Sequence, residues 1–359
     1  MEKVIISVIV PVYNCYFYLE ECLKSIVKQN FKLFELIIVN DCSEDDSKEI
    51  IDFYEKKYDN IKAIHLNKNR GVSYARNTGL NIAQGEFVVF LDADDKITPN
   101  MLSYMYNCIK KYNCDLVVCN VLRIEGKNRK TQTHSIGSYS MIITSENIKD
   151  YIINYMLEDK HKYCVWNRIY KMGIIKDNNI KFLNNDNIYP EDLMFNLQYI
   201  YYVKKLFWIN ETLYTHISRK NSITNSYRNE IFYRYINMCY EFYNYSINNF
   251  YKIDEELYYS IVVEQFFNAI TASIKKNNTK FLDLYNNVLS FSNEKCIYKM
   301  IKYHNEKKLL RRLVLDQYRK KNFFLSTLVI YFLIKKSIIK KYNLIINCSL
   351  YKSLFNLNT

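Results

Sequence analysis

Apolar runs and amphipathic stretches alternate along the first 120 residues. Val4 to Val10, apolar but for Ser7, and Leu36 to Val39 are segments of strand length. Between them Leu19, Cys22, Leu23, Ile26 and Val27 recur at helical spacing. Continuously apolar strands belong to a sheet covered on both faces, so the pattern predicts a mostly parallel α/β layer. Ser43 to Asp46 can cap a helix running to about Tyr58, Ile61 to Leu66 is a third strand, Ser73 to Ala83 a helix, and Phe87 to Leu91 a fourth strand. A helix ending near Tyr112, a strand at Leu116 to Asn120 and a polar, basic, hairpin-like stretch from Glu125 to Ser138 follow.

From Thr144 the pattern loosens into helices with short extended pieces at Val165 to Tyr170 and Leu206 to Ile209. Pro190 then opens a helix whose Leu193, Leu197, Ile200 and Tyr201 share one face, which puts Glu191 and Asp192 in its first turn. Beyond about Tyr227 only helices are predicted. The expected organisation is an α/β domain over 1–226, in two halves that meet at about residue 120, followed by a helical, basic region over 227–359.

The 49% apolar content of the 359 residues is ample for a large core. The net charge of +13 is unevenly placed, with fourteen Lys and Arg against only Glu306 and Asp316 from Lys299 onward. There an apolar stretch, Phe323 to Ile334, is flanked by Arg319-Lys320-Lys321 and Lys335-Lys336. It is too short to cross a bilayer but suited to lie on an anionic leaflet; a helix packed on the α/β domain is the other reading. The ten cysteines show no metal-ligand spacing, and no charged leader precedes the first strand. A cytoplasmic protein, peripheral on the inner face of the plasma membrane, is expected.

The chemistry gathers at strand ends. Asp92, Asp94 and Asp95 follow the Phe87–Leu91 run, at the sheet edge where open α/β sheets bind ligands, and hard oxygen donors there suit Mn²⁺ or Mg²⁺. The same acids could cap a helix opened by Thr98-Pro99. Four motifs stand in order: Ser7-Val8-Ile9-Val10-Pro11-Val12-Tyr13-Asn14, Ile38-Val39-Asn40-Asp41-Cys42-Ser43, Asn69 to Gly79 containing Arg76-Asn77, and Leu91-Asp92-Ala93-Asp94-Asp95. Val165-Trp166-Asn167-Arg168, Tyr189-Pro190-Glu191-Asp192, Tyr214 and Asn221-Ser222-Ile223-Thr224 follow. This series resembles the family 2 inverting glycosyltransferases of the GT-A fold, over about residues 4–225.

The resemblance implies a GT-A nucleotide-diphospho-sugar transferase fold with an all-helical C-terminal extension. It also implies a nucleotide-sugar donor and a glycan or lipid-linked saccharide acceptor in bacterial surface polysaccharide synthesis. In it Pro11, Tyr13 and Asp41 meet the base, and Arg76 orients the nucleotide and the acids. Asp92 and Ala93 lie along the ribose, and Asp94, with Asp92 and His216, holds the cation. Arg219 closes over the diphosphate, Trp166 and Asn167 line the acceptor pocket, and Asp192, paired with Glu191, is the base. The Asp41 carboxylate can accept the N3–H of a uracil, which favours a UDP donor, although Asn40 stands where a further acid is usual. Asp95 is expected to cap the Thr98 helix. A nucleotidyltransferase would need a Gly-rich phosphate loop after the first strand, which Pro11-Val12-Tyr13-Asn14 does not supply. A nucleic-acid-binding protein would leave the acids without a role, and no nucleic-acid partner is expected.

Overall fold

The computed structural model describes residues 3–125, 129–133, 139–157, 163–218, 231–250, 254–274 and 286. The chain divides into two compact units, Met1–Ile261 and Val262–Thr359. In the first, β1 (Ile6–Val12), α1 (Tyr16–Val27), β2 (Phe34–Asn40), α2 (Ser47–Lys57), β3 (Ile61–His65), α3 (Val72–Ile82) and β4 (Phe87–Phe90) alternate as the apolar pattern predicts. The chain continues through β5 (Lys96–Ile97), α4 (Met101–Tyr112), β6 (Leu116–Glu125), β7 (Arg129–Thr133), β8 (Met141–Thr144) and α5 (Ile148–Tyr151), which runs into one π-helical turn, Ile152–Met156. Then come β9 (Arg168–Lys171), α6 (Met172–Asp177), α7 (Glu191–Ile200), β10 (Lys205–Ser218), α8 (Ile231–Phe250) and α9 (Glu255–Ile274).

One sheet runs β3-β2-β1-β4-β9-β6-β10-β5, with β7 on β6 and β8 on β10. Strands β1 to β4 pair in parallel, and all seven residues of β2 are buried. The sheet turns mixed at β9, which is antiparallel to both β4 and β6. That insertion brings Trp166 and Asn167, just ahead of β9, beside the end of β4 where the acids emerge. Strand β10 is longer than its apolar start suggests, because register shifts between Ile209 and Tyr214 let it bend along β6 and still pair with β5.

Pinning of the loops at the C-terminal edge explains how they hold their shape. The first N–H groups of α1 are capped from the neighbouring loop, Cys15 N by Ser47 Oγ at 3.0 Å and Tyr16 N by Asp45 Oδ2 at 2.9 Å. Asn14 Oδ1 accepts Glu44 N–H at 2.8 Å. Gly71, at φ 85, turns the chain into α3, and a Cβ there would sit 2.3 Å from Asn185 Oδ1.

Two expectations are corrected. Thr98 and Pro99 do not open a helix: Thr98 N donates to Leu213 O at 2.9 Å as an extension of the β5–β10 pairing, and α4 begins only at Met101. The first compact unit runs past 226 and takes in α8, which bonds the segment ahead of α7. Among the described residues no helix is long and apolar enough to cross a membrane. The basic stretch from Lys299 and the apolar run Phe323 to Ile334 lie outside the described residues, as do Arg219 and Asn221 to Thr224.

Candidate active site

Asp41, 3% exposed, ends β2 and accepts two backbone N–H groups of the turn before α3, Arg70 at 2.8 Å and Gly71 at 2.8 Å. Burial pushes its carboxyl above the usual range and these two bonds oppose the push. Each carboxylate oxygen offers a second lone pair, so holding the turn does not preclude accepting a base N–H. Asn40 fixes the same corner, taking Ser43 N–H on Oδ1 at 3.0 Å with its amide nitrogen 3.1 Å from His65 Nδ1. Pro11 and Tyr13, half-buried, close β1 beside it.

Arg76 is the centre of the site. It lies one turn into α3, is 3% exposed, and donates through Nη2 to Asp92 Oδ1 at 3.0 Å and through Nη1 to Asp192 Oδ1 at 2.7 Å; Glu191 Oε1 stands 3.8 Å from Nη1. The guanidinium also lies over the Phe182 ring, 5.1 Å from its centroid. Its acidic partners are thus Asp92 and the Glu191-Asp192 pair, while Asp41 is served by the Arg70–Gly71 turn. Burial pushes the Asp192 carboxyl up, Arg76 pulls it back, and Glu191 and Asp92 push it up again, leaving it at about 7. The other Asp192 oxygen, Oδ2, is 3.3 Å from Val165 N.

The three acids after β4 divide their work. Asp92, Asp94 and Asp95 each bring an oxygen within 4.8 Å of the others, with Asp92 and Asp94 half-buried. Asp95 is fully buried and does not cap the following helix. It accepts Tyr214 Oη–H at 2.6 Å, Ile217 N–H at 2.8 Å, and lies 3.2 Å from His216 Nδ1. A buried carboxylate needs such a set of donors, and the backbone of α4 is out of its reach once β5 intervenes. Ala93, 3% exposed, keeps the bend between Asp92 and Asp94 close-packed.

An all-oxygen donor set in which Asp92 and Asp94 face outward and Asp95 braces from behind fits Mg²⁺ or Mn²⁺. His216 is pushed down by burial but more strongly up by its bond to Asp95 and by the charges of Asp95, Asp92 and Asp94, for a net rise. One of its ring nitrogens, Nδ1, stands 3.2 Å from Asp95 Oδ2.

Trp166 and Asn167 depart from the acceptor-pocket expectation. The Trp166 indole is 4% exposed and stacks on Tyr214 at 4.4 Å and on His216 at 5.5 Å, where an open sugar platform was expected. Asn167 is 2% exposed and donates to Cys119 O at 2.7 Å while its own carbonyl accepts Cys119 N–H, so it ties the approach to β9 onto β6. Both are near the site and serve its shape. Asn77 escaped notice, although it stands in a quoted motif: its amide donates to Phe182 O at 2.7 Å and accepts Phe182 N–H at 3.0 Å, clamping the segment that leads to α7.

A sheet that is parallel through β1 to β4, turns mixed at β9 and carries acids where its strands end is a GT-A-like α/β fold. Residues 7–178 match the family model described as glycosyl transferase family 2. The chain is 30% identical over 233 residues to EpsH of Bacillus subtilis (strain 168), a stretch covering 65% of this chain and 66% of that one. It is 31% identical over 232 residues to a cholesterol galactosyltransferase of Borreliella burgdorferi, covering 63% of each. These stretches span just under two thirds of the relatives' own length. Among solved structures, S. aureus TarS 1-349 in complex with UDP-GlcNAc shares the fold at TM-score 0.70, with 22% identity and 92% of both chains covered.

Proposed function

We propose that the chain is a metal-dependent inverting glycosyltransferase that moves a sugar from a UDP-type donor to a hydroxyl of a glycan or lipid-linked saccharide in bacterial surface polysaccharide synthesis. The observation that carries the reading is the single guanidinium of Arg76 joined at once to Asp92 and to Asp192. It puts the acid that would face the leaving diphosphate and the acid that would take a proton in one cleft. UDP-GlcNAc bound to TarS, and the galactosyl transfer named for the Borreliella burgdorferi relative, support a UDP-hexose class of donor.

Asp192 is the base. In a single displacement the acceptor oxygen gives its proton to this carboxylate as it attacks the anomeric carbon, and the bond from that carbon to the β-phosphate oxygen breaks on the opposite face, inverting the centre. Arg76 fixes Asp192 Oδ1, and Oδ2, with its longer contact at 3.3 Å, is the oxygen to take the proton. A base of this kind contributes on the order of 10² to 10⁴-fold. Asp92 and Asp94 would hold Mn²⁺ or Mg²⁺, which when bound neutralises the departing diphosphate. His216 lies beside them, and Arg219 is the cation proposed to close over the phosphates. Asp41 and the main chain around Pro11 and Tyr13 would receive the base. The basic C-terminal stretch would hold the enzyme at an anionic leaflet near a lipid-linked acceptor.

The test is a panel of sugar nucleotides turned over with Mn²⁺ by the wild type, Asp94→Ala and Asp192→Asn. Asp94→Ala is expected to lose metal-dependent nucleotide binding, and Asp192→Asn to bind nucleotide and lose turnover. Full turnover by both variants would overturn the reading.

A further inference from the structure

The segment between α6 and α7, residues 178–190, delivers Glu191 and Asp192 to the cleft without belonging to the sheet. Asn77 clamps it at Phe182 from the α3 side. Its last residues are held by α8. Tyr189 N–H donates to Arg234 O at 3.1 Å, Arg234 Nη2 donates to Ile188 O at 3.2 Å, and Asn237 Nδ2 donates to Asn187 O at 3.1 Å. The Arg234 guanidinium lies 5.6 Å from the Tyr189 ring centroid, and Tyr189 meets Tyr235 edge to face at 5.1 Å. Three consecutive residues, 187 to 189, are therefore each bonded to one helix immediately ahead of the carboxylate pair.

Resting on the reading of Asp192 as the base, we propose that α8 is part of the catalytic scaffold and that Arg234 is a positioning residue for Asp192. Arg234 is 6% exposed. Removing a guanidinium from water is costly, and here its fork is directed at a backbone carbonyl four positions before the base and its face at the ring three positions before it. Asp192 must meet Arg76 Nη1 at 2.7 Å, a bond that a shift of about 1 Å in the start of α7 would break. Asn77 of α3 and Arg234 of α8 hold the segment at two separate points ahead of Pro190, which limits how far the start of α7 can shift. Both the base and this anchor lie beyond residues 7–178, so the family domain as matched does not contain its own base.

Arg234→Lys keeps the charge and loses the planar fork, and Asn237→Ala, on the exposed side of the helix, is the milder variant should the first fail to fold. The measurements are steady-state turnover of the best donor and amide hydrogen exchange of residues 187–189. For Arg234→Lys we expect kcat to fall at least tenfold with donor KM within twofold and faster exchange confined to this segment; Asn237→Ala should move both readouts the same way by less. Faster exchange with kcat unchanged would overturn the proposal, as would a rise in KM with kcat unchanged. A wild-type chain that turned over no donor would instead sink the transferase reading, and exchange alone would then decide whether Arg234 anchors the segment.

Discussion

Asp92 and Asp192, one hundred positions apart in sequence, are held by the two terminal nitrogens of one buried guanidinium, at 3.0 and 2.7 Å from Arg76. Three acids around one cation make a cluster that is stable only as a set. Arg76→Met removes the cation and leaves Asp192 buried and uncompensated. We expect a loss of about 3 to 5 kcal/mol in chemical denaturation at pH 8. The loss should shrink towards pH 5, because the carboxyl then folds in its neutral form and carries no charge to be compensated.

As the proposed base, the Asp192 carboxyl, held up to about 7 by burial against the pull of Arg76, is expected to set the pH dependence of turnover. A base works only when deprotonated, so its active fraction falls about tenfold per pH unit below that value and saturates above it. The rate at saturating donor should rise between pH 5.5 and 8 with a midpoint near 7. Asp192→Asn should flatten the profile at no more than about one hundredth of the wild-type rate. A wild-type rate independent of pH over that range would remove Asp192 from the base role.

Asp94 and Asp95 are adjacent and should fail differently. Asp94→Ala is expected to leave the melting temperature of the free protein nearly unchanged and to abolish the upward shift produced by UDP with Mn²⁺. Asp95→Ala strips Tyr214 Oη, Ile217 N and His216 Nδ1 of a shared acceptor. It should cost about 3 kcal/mol in the free protein, since buried donors lose their partner together. Equal losses of stability in the two variants would contradict the division of roles.

At the other end of the sheet, Glu35 is 2% exposed and takes Ser7 Oγ–H at 2.7 Å, Gln84 N–H at 2.6 Å and Lys62 Nζ at 2.8 Å, joining β1, β2, β3 and the turn before β4. Burial pushes its carboxyl up, but these three partners together outweigh it and leave it below the usual range. The stability it contributes is therefore present above pH 4.5 and lost as pH falls through the lower folded value. Glu35→Gln should destabilise by about 1 to 3 kcal/mol at pH 7 and by progressively less under acid, measured by urea unfolding across pH.

The parallel half of the fold was legible because its strands are buried on both faces. Ile6, Val8, Ile9 and Val10 of β1, like Leu36 to Val39 of β2, are fully buried and apolar, so the run itself marks the strand. The mixed half was not. Lys96 and Ile97 carry no strand signal and pair with β10 only because Tyr214 and Thr215 reach them. Of the site, the acids were visible as types in a pattern. Asp95 resembles a helix cap in sequence because the donors that claim it, at Tyr214, His216 and Ile217, lie some 120 positions downstream. Trp166 had the composition of a sugar platform and the packing of a core residue, a difference made by Tyr214 and His216 stacking on it.

Sequence alone determined which chemistry the chain carries: carboxylates at the ends of apolar strands, an arginine one turn into the helix after Gly71, and a second acidic pair opening a later helix. The tertiary structure decided which of these groups belong to one another. Coulomb attraction and desolvation depend on distance and burial, and only folding brings Arg76 to both Asp92 and Asp192, surrounds Asp192 until its proton affinity reaches the neutral range, and sets Arg234 behind it.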